Sequence, residues 1–199
     1  MKRIAIALFC LVAALLISGC ADRKVTRVDT AQVTDLSGRW NDTDSRLVSN
    51  EMITDLLSAK WIPMYELQHT GKRPVVIVGT VQNKSHEHID AETFIKDLER
   101  AIVNNGSVRL VQAGAKREEL RDEREQQNRG YVSPETAKKW GRELGADFML
   151  QGAINSIVDS YKKNKAVFYQ IDLEMTDLES GEIVWMGSKK IKKTIAGRF

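Results

Sequence analysis

The feature that most constrains this chain lies at its start. Met1-Lys2-Arg3 leads into an apolar run from Ile4 to Ile17, which closes on Ser18-Gly19-Cys20. A short basic start, an apolar stretch and small side chains ahead of a cut are the layout of an export signal. A membrane-spanning helix needs about 20 apolar residues, so this run is short for a stable span. The reading predicts that residues 1–19 are removed and that the rest folds outside the cytoplasm. The chain has 2 cysteines; Cys10 leaves with the signal and Cys20 stands at the cut. No disulfide framework or cysteine metal site is then available. The mature chain must rely on an apolar core of its own, and about 180 residues suffice for one.

Ile17-Ser18-Gly19-Cys20 resembles the lipobox of bacterial lipoproteins. The resemblance implies a diacylglycerol on the Cys20 thiol, cleavage after Gly19 and acylation of the new amine. Two or three acyl chains hold far more firmly than one. Ala21, rather than an aspartate, follows the cysteine, which in such lipoproteins implies sorting to the outer membrane, facing the periplasm. The expected organisation is a signal peptide over 1–19, a lipidated N-terminus and short tether over 20–34, and one folded domain over 35–199. As a random coil the polar tether reaches only about 20 Å. Loss of Lys2 and Arg3 takes the formal net charge from +3 to about +1, so nucleic-acid binding has no electrostatic support.

Hydrophobic periodicity orders the domain. Val48, Met52 and Leu56, with Ile53 and Leu57 beside them, predict a helix capped by Asp42 or Asp44. Pro74-Val75-Val76-Ile77-Val78-Gly79 predicts a short central strand. Asp90 caps a second helix whose face is Phe94, Leu98, Ala101 and Ile102, and Asn105-Gly106 ends it. Val108–Val111 is a further strand. Ala115–Asn128 is helical by propensity but carries one large apolar residue, Leu120, and reads as solvated. Ser133-Pro134-Glu135 starts another helix, with Trp140 and Leu144 facing inward. Three strands close the chain, over 147–157, 166–178 and 183–195, the last two joined by Glu179-Ser180-Gly181-Glu182 as a hairpin. The expected fold class is α+β: a mixed, mostly antiparallel sheet packed with helices, as a single domain.

Catalytic patterns are missing. There is no G-x-S-x-G elbow, no Walker loop and no H-E-x-x-H helix. His86-Glu87-His88 could chelate a metal, but it lacks a third ligand and reads as an exposed polar loop. Asp42-Thr43-Asp44 opens like a calcium loop, yet Leu47 and Ile53 stand where the glycine and glutamate belong. The expectation is a non-enzymatic protein with no cofactor and no metal. Lys189-Lys190-Ile191-Lys192-Lys193 reads as a solvated edge strand whose lysines discourage strand-to-strand aggregation; contact with anionic lipid or wall polymer is the alternative.

Four segments carry a resemblance: Asp35–Ser45 (DLSGRWNDTDS), Asn104-Asn105-Gly106, Leu144-Gly145-Ala146-Asp147-Phe148, and Thr176–Trp185 (TDLESGEIVW). In this order they resemble the LpoB-type activators of penicillin-binding proteins, over roughly residues 35–195. The resemblance implies an outer-membrane lipoprotein, expected as a monomer, that binds a bifunctional peptidoglycan synthase and stimulates glycan polymerisation and crosslinking without making bonds itself. Two departures stand out. The tether has no proline and is short, and Gln151 stands where the enteric proteins carry an exposed tyrosine implicated in partner contact. Gln151 and Asn155 are the contact residues the resemblance implies. A secretion-related or structural outer-membrane lipoprotein with a curli-secretion-like α/β core is the competing expectation.

Overall fold

A computed structural model describes residues 25–129 and 145–196. The chain divides into two units, Met1–Gln32 and Val33–Phe199. Of the first, Val25–Gln32 is exposed coil with a turn in which the Gln32 N–H donates to Asp29 O. Cys20 and the expected helix from Ser133 to Leu144 lie outside the described residues.

The second unit is built on α1 (Asp42–Ser58), α2 (Trp61–Gln68), β1 (Val75–Lys84), α3 (Ala91–Asn105), β2 (Arg109–Val111), α4 (Gly114–Asn128), β3 (Phe148–Tyr161), β4 (Asn164–Asp177) and β5 (Ile183–Ala196). The sheet order is β2-β1-β3-β4-β5. β1 is parallel to both its neighbours, whereas β3, β4 and β5 pair antiparallel in longer ladders. The expected α+β class with a mixed sheet is therefore what the chain forms.

Alternation decides which side of the sheet is covered. Odd positions of β4, from Val167 through Tyr169, Ile171 and Leu173 to Met175, are almost wholly buried. Phe148, Leu150 and Ile154 of β3 and Val76, Val78 and Val81 of β1 lie in the same core. Period-2 burial on 14-residue strands means one face is packed and the other is not. α1 and α3 pack on that buried face, α1 against β5 and α3 against β1 and β2. Val48, Met52 and Leu56 meet Phe94, Leu98 and Ile102 there. α4 buries no large side chain among its described residues, and Leu120 is exposed, as its charge run predicts.

Three readings are corrected. The cap of α1 is Asn41, one residue before Asp42 and three before Asp44, the caps expected. Asn41 Oδ1 accepts from the Asp44 N–H (3.2 Å), and Asp44 Oδ2 accepts from the Asn41 N–H (3.0 Å), a reciprocal capping box. The helix α2 is an addition to the expected elements: Pro63 falls in its first turn, where the N–H has no intrahelical partner to lose. And β1 does not stop at Gly79. Its register slips between Val78 and Val81, after which it continues beside β3 to Lys84; glycine in a strand marks such a bulge.

Candidate partner-docking face

No described helix packs on the other face of the sheet. Gln151 and Asn155, the two residues expected to contact a partner, both lie on it, since they alternate with Leu150 and Ile154 of the core. Gln151 pairs with Glu174 on β4, which pairs with Met186 on β5; Asn155 pairs with Lys84 of β1 and with Gln170, which pairs with Lys190. A shallow hollow of about 380 Å³ runs across the strands, and Gln82, Lys84, Gln151, Asp172, Glu174 and Met186 line it. Asn155 is not among its lining residues. The Gln170 amide donates to both oxygens of Asp172, which lines the hollow, at 3.0 and 2.9 Å. Met186 is 63 % exposed. Amides, two carboxylates and a flexible thioether on a flat sheet suit recognition, with hydrogen bonds for register and an adaptable apolar contact.

Two clusters of mostly half-buried polar groups hold the face from behind and from one end. The first gathers around Trp40. Its ring meets Tyr169 edge-on at 5.5 Å, its Nε1–H donates to Ser45 Oγ (2.8 Å), and its backbone N–H donates to Glu87 Oε2 (3.0 Å). Burial first, and Glu87 second, hold the Tyr169 hydroxyl well above the ordinary phenol range. His86 Nδ1 lies 2.7 Å from Ser156 Oγ, which ties the 86–88 loop to β3. The loop is therefore only partly the exposed segment expected: Glu87 is turned inward, with 10 % of its side chain exposed. No group of three metal-ligating side chains occurs among the described residues.

Beside this cluster, Lys193 Nζ reaches Asp44 Oδ2 (2.6 Å), Asp35 Oδ2 (3.0 Å) and the Arg39 carbonyl (2.9 Å). Burial pushes the Lys193 ammonium down, but the two carboxylates together outweigh it and its pKa is raised. Gly38, at φ +67°, lets the backbone pass Ile195 where a Cβ would sit 2.4 Å from the Ile195 side chain. The second cluster lies at the opposite end of the strands. Asp147 accepts from the Val75 N–H (2.7 Å) and its carbonyl accepts from Leu178 N–H (2.9 Å). Asp177 accepts from Glu179 and Ser180 N–H (2.9 and 2.8 Å), and these bonds lower its pKa despite some burial. Tyr65 stacks on His69 and packs edge-on to Phe148. Burial, then Asp147, push its hydroxyl up to about 12.

These contacts involve the segments that carry the sequence resemblance, and the family comparison agrees with them. The family described as peptidoglycan-synthase activator LpoB matches residues 44–191. The chain belongs to this family. The comparison with curated proteins returns no match. Among solved structures, the LpoB C-terminal domain from Salmonella enterica is 18 % identical, with 74 % of this chain and 98 % of that one covered and a TM-score of 0.43. The LpoB C-terminal domain from Escherichia coli is 17 % identical, covering 68 % and 95 % at 0.35. Lipoprotein GNA1162 from Neisseria meningitidis is 11 % identical, covering 62 % and 84 % at 0.37.

Within this LpoB-family chain, sequence reasoning read Lys193 and Glu87 as solvated groups, which the structure corrects for both side chains, and passed over Tyr169. A signal for Lys193 existed. It lies an even number of residues after Trp185, on the covered face, whereas Lys190 and Lys192 fall on the open one.

Proposed function

We propose that this chain is a lipid-anchored, non-catalytic regulator that binds a bifunctional peptidoglycan synthase through the open face of its sheet. The family match over residues 44–191 carries the reading. Gln151 and Asn155 are the contact residues in this reading, and the Gln151 hollow is the centre of the contact. Acyl chains on Cys20 hold the protein to the periplasmic leaflet of the outer membrane, and residues 20–34 are the tether. No described helix is long and apolar enough to cross a membrane, and the anchor rests on the Ser18-Gly19-Cys20 motif alone. A binding protein stimulates an enzyme by favouring its active conformation over the others, and the stimulation cannot exceed the difference in affinity for them.

The test is a glycan-polymerisation assay with the host's own bifunctional synthase. The mature chain lacking its acyl groups should bind the synthase and raise the polymerisation rate. Absence of both effects rejects the proposal. Cys20→Ser should abolish lipid labelling and release the protein from membranes; unchanged mature mass and partition would reject the anchor alone.

A further inference from the structure

We propose that the overhanging end of the β3–β4–β5 arm is a docking surface for an anionic phospholipid bilayer. β1 stops at Lys84, opposite Asn155. β3 runs on alone to Tyr161, backed only by the start of β4 and the end of β5. This overhang carries Ile157 (67 % exposed), Val158 and Tyr161 (71 % exposed). Lys162 and Lys163 form the two-residue turn at its tip, with Lys162 at φ +54° and its Nζ 5.2 Å from the centre of the Tyr161 ring. Lys192 is in register with Phe168, which faces Ile157; Lys190 lies on the same face beside them, and Lys165, in register with Ile195, lies on the other face of the overhang. Asp159 is the one carboxylate on Ser156–Lys165.

A solvated edge accounts for Lys190 and Lys192, which face solvent on the outermost described strand. It does not account for three exposed apolar side chains beside a lysine pair at a turn. Apolar side chains interleaved with cations match a bilayer surface, where lysines meet phosphates and tyrosine lies at headgroup level.

The proposed anchor would enter the folded unit at the same end. The chain joins the domain there: Leu36, Gly38 and Arg39 line a hollow of about 930 Å³ together with Lys165, Lys192 and Ile195. Leu36 is 93 % exposed. A random-coil tether from Cys20 to Leu36 would have an r.m.s. length of about 20 Å. Gln151 lies ten residues back along β3 from Tyr161, about 33 Å at strand rise. An arm standing on the bilayer thus carries the open face away from it. This step uses the anchor of the preceding proposal, but its test does not.

The test is co-sedimentation of the mature chain carrying Cys20→Ser with vesicles of phosphatidylcholine alone or mixed equally with phosphatidylglycerol. Every core residue lies beyond Val33, so loss of the leader leaves the folded unit whole. Binding should appear only with the anionic vesicles and vanish near 1 M salt, where screening acts over about 3 Å. Each lysine removed should weaken binding about fivefold, and the double variant Lys162→Gln, Lys163→Gln about 25-fold. Tyr161→Ser should weaken it as well, while Lys72→Glu, at the other end of the strands, should leave it unchanged. Circular dichroism checks that the variants fold; should the double variant unfold, Lys190→Gln is read in its place. Failure to bind anionic vesicles, equal binding to both compositions, or binding to isolated sacculi but not to vesicles overturns the proposal. None of these outcomes bears on whether Cys20 is acylated or whether the synthase is stimulated.

Discussion

Replacing Lys193 by methionine removes the cation from a pocket that still holds Asp44. The lysine side chain is 10 % exposed and that of Asp44 is 6 % exposed. Breaking a buried pair by deleting one partner costs about 3–5 kcal/mol, because a charge is left without compensation. Two features place this site at the low end. Asp44 keeps the Asn41 N–H at 3.0 Å, and Asp35, 43 % exposed, can return to water. The expected loss is about 3 kcal/mol, and for a unit of this size each kcal/mol lowers Tm by about 2–4 °C, giving about 6–12 °C. Lys189, four residues earlier in the same lysine run, is the internal control. Its partner Glu51 is 59 % exposed, so Lys189→Met should cost no more than about 1 kcal/mol. Thermal and urea unfolding of the chain without its leader measure both. Lys193→Met combined with Asp44→Asn should cost less than the sum of the single losses, since no bare charge remains.

The sign with pH follows from the raised lysine pKa. A cation stabilised by folding contributes fully below the unfolded lysine value, about 10.4. That contribution is lost only as pH rises through the higher folded value. The gap between wild type and Lys193→Met should therefore hold steady from neutral pH to about 10 and close above it. Equal melting temperatures for the Lys193 and Lys189 variants, or a gap that closes between neutrality and about pH 10, would refute the reasoning.

Three further outcomes are expected. Gly152→Ala places a Cβ 2.3 Å from the Asp172 carbonyl oxygen and 2.5 Å from Leu173 Cδ2, so β4 must shift; urea unfolding should show a loss of about 1–3 kcal/mol. Gln151→Arg, on a half-exposed position of the open face, should change stability by no more than about 0.5 kcal/mol while weakening synthase binding in a pull-down. Asp177→Asn removes a carboxylate whose folded pKa is lowered by turn N–H groups; its contribution is present above about 3.9 and lost as pH falls through the folded value, so variant and wild type should converge in acid.

Much of this architecture was legible because burial imposes a period. Val48, Met52 and Leu56 name one helix face, and Val167 to Met175 alternate without a break, so tertiary packing and local pattern agree. The turn Glu179–Glu182 was legible for the same reason: Gly181 sits at φ +75°, which few other residues accept. What escaped depended on partners distant in sequence. Nothing near Lys84 says that β1 continues past its bulge, because Val81 is the one apolar residue in 80–84 and the segment is held by Gly152–Asn155. Nothing near Glu87 says that it accepts the Trp40 N–H, 47 residues away. The open face was foreseen through Gln151 and Asn155 by resemblance; its hollow depends on Gln82, Asp172 and Met186, which come together only in the sheet.

The two clusters bear on how such a chain keeps its family and changes its partner. Gly38 to Ser45 latches the start of the domain onto β4 and β5, while Asp147 and Asp177 tie the beginnings of β1 and β3 to the last hairpin. These residues sit behind or at the ends of the sheet, so they set where the open face lies without lining its hollow. Gln151, Glu174 and Met186 make no such contact, and changing them leaves every latch in place. Recognition can therefore vary at almost no cost in stability, whereas the latches cannot. On this account Trp40→Ala should lower Tm and synthase stimulation together, and lower temperature should restore the stimulation. Exchanging residues at 151, 174 and 186 should alter stimulation at constant Tm. A Trp40 variant that stays fully folded yet loses stimulation would instead put the latch in contact with the partner and collapse the distinction.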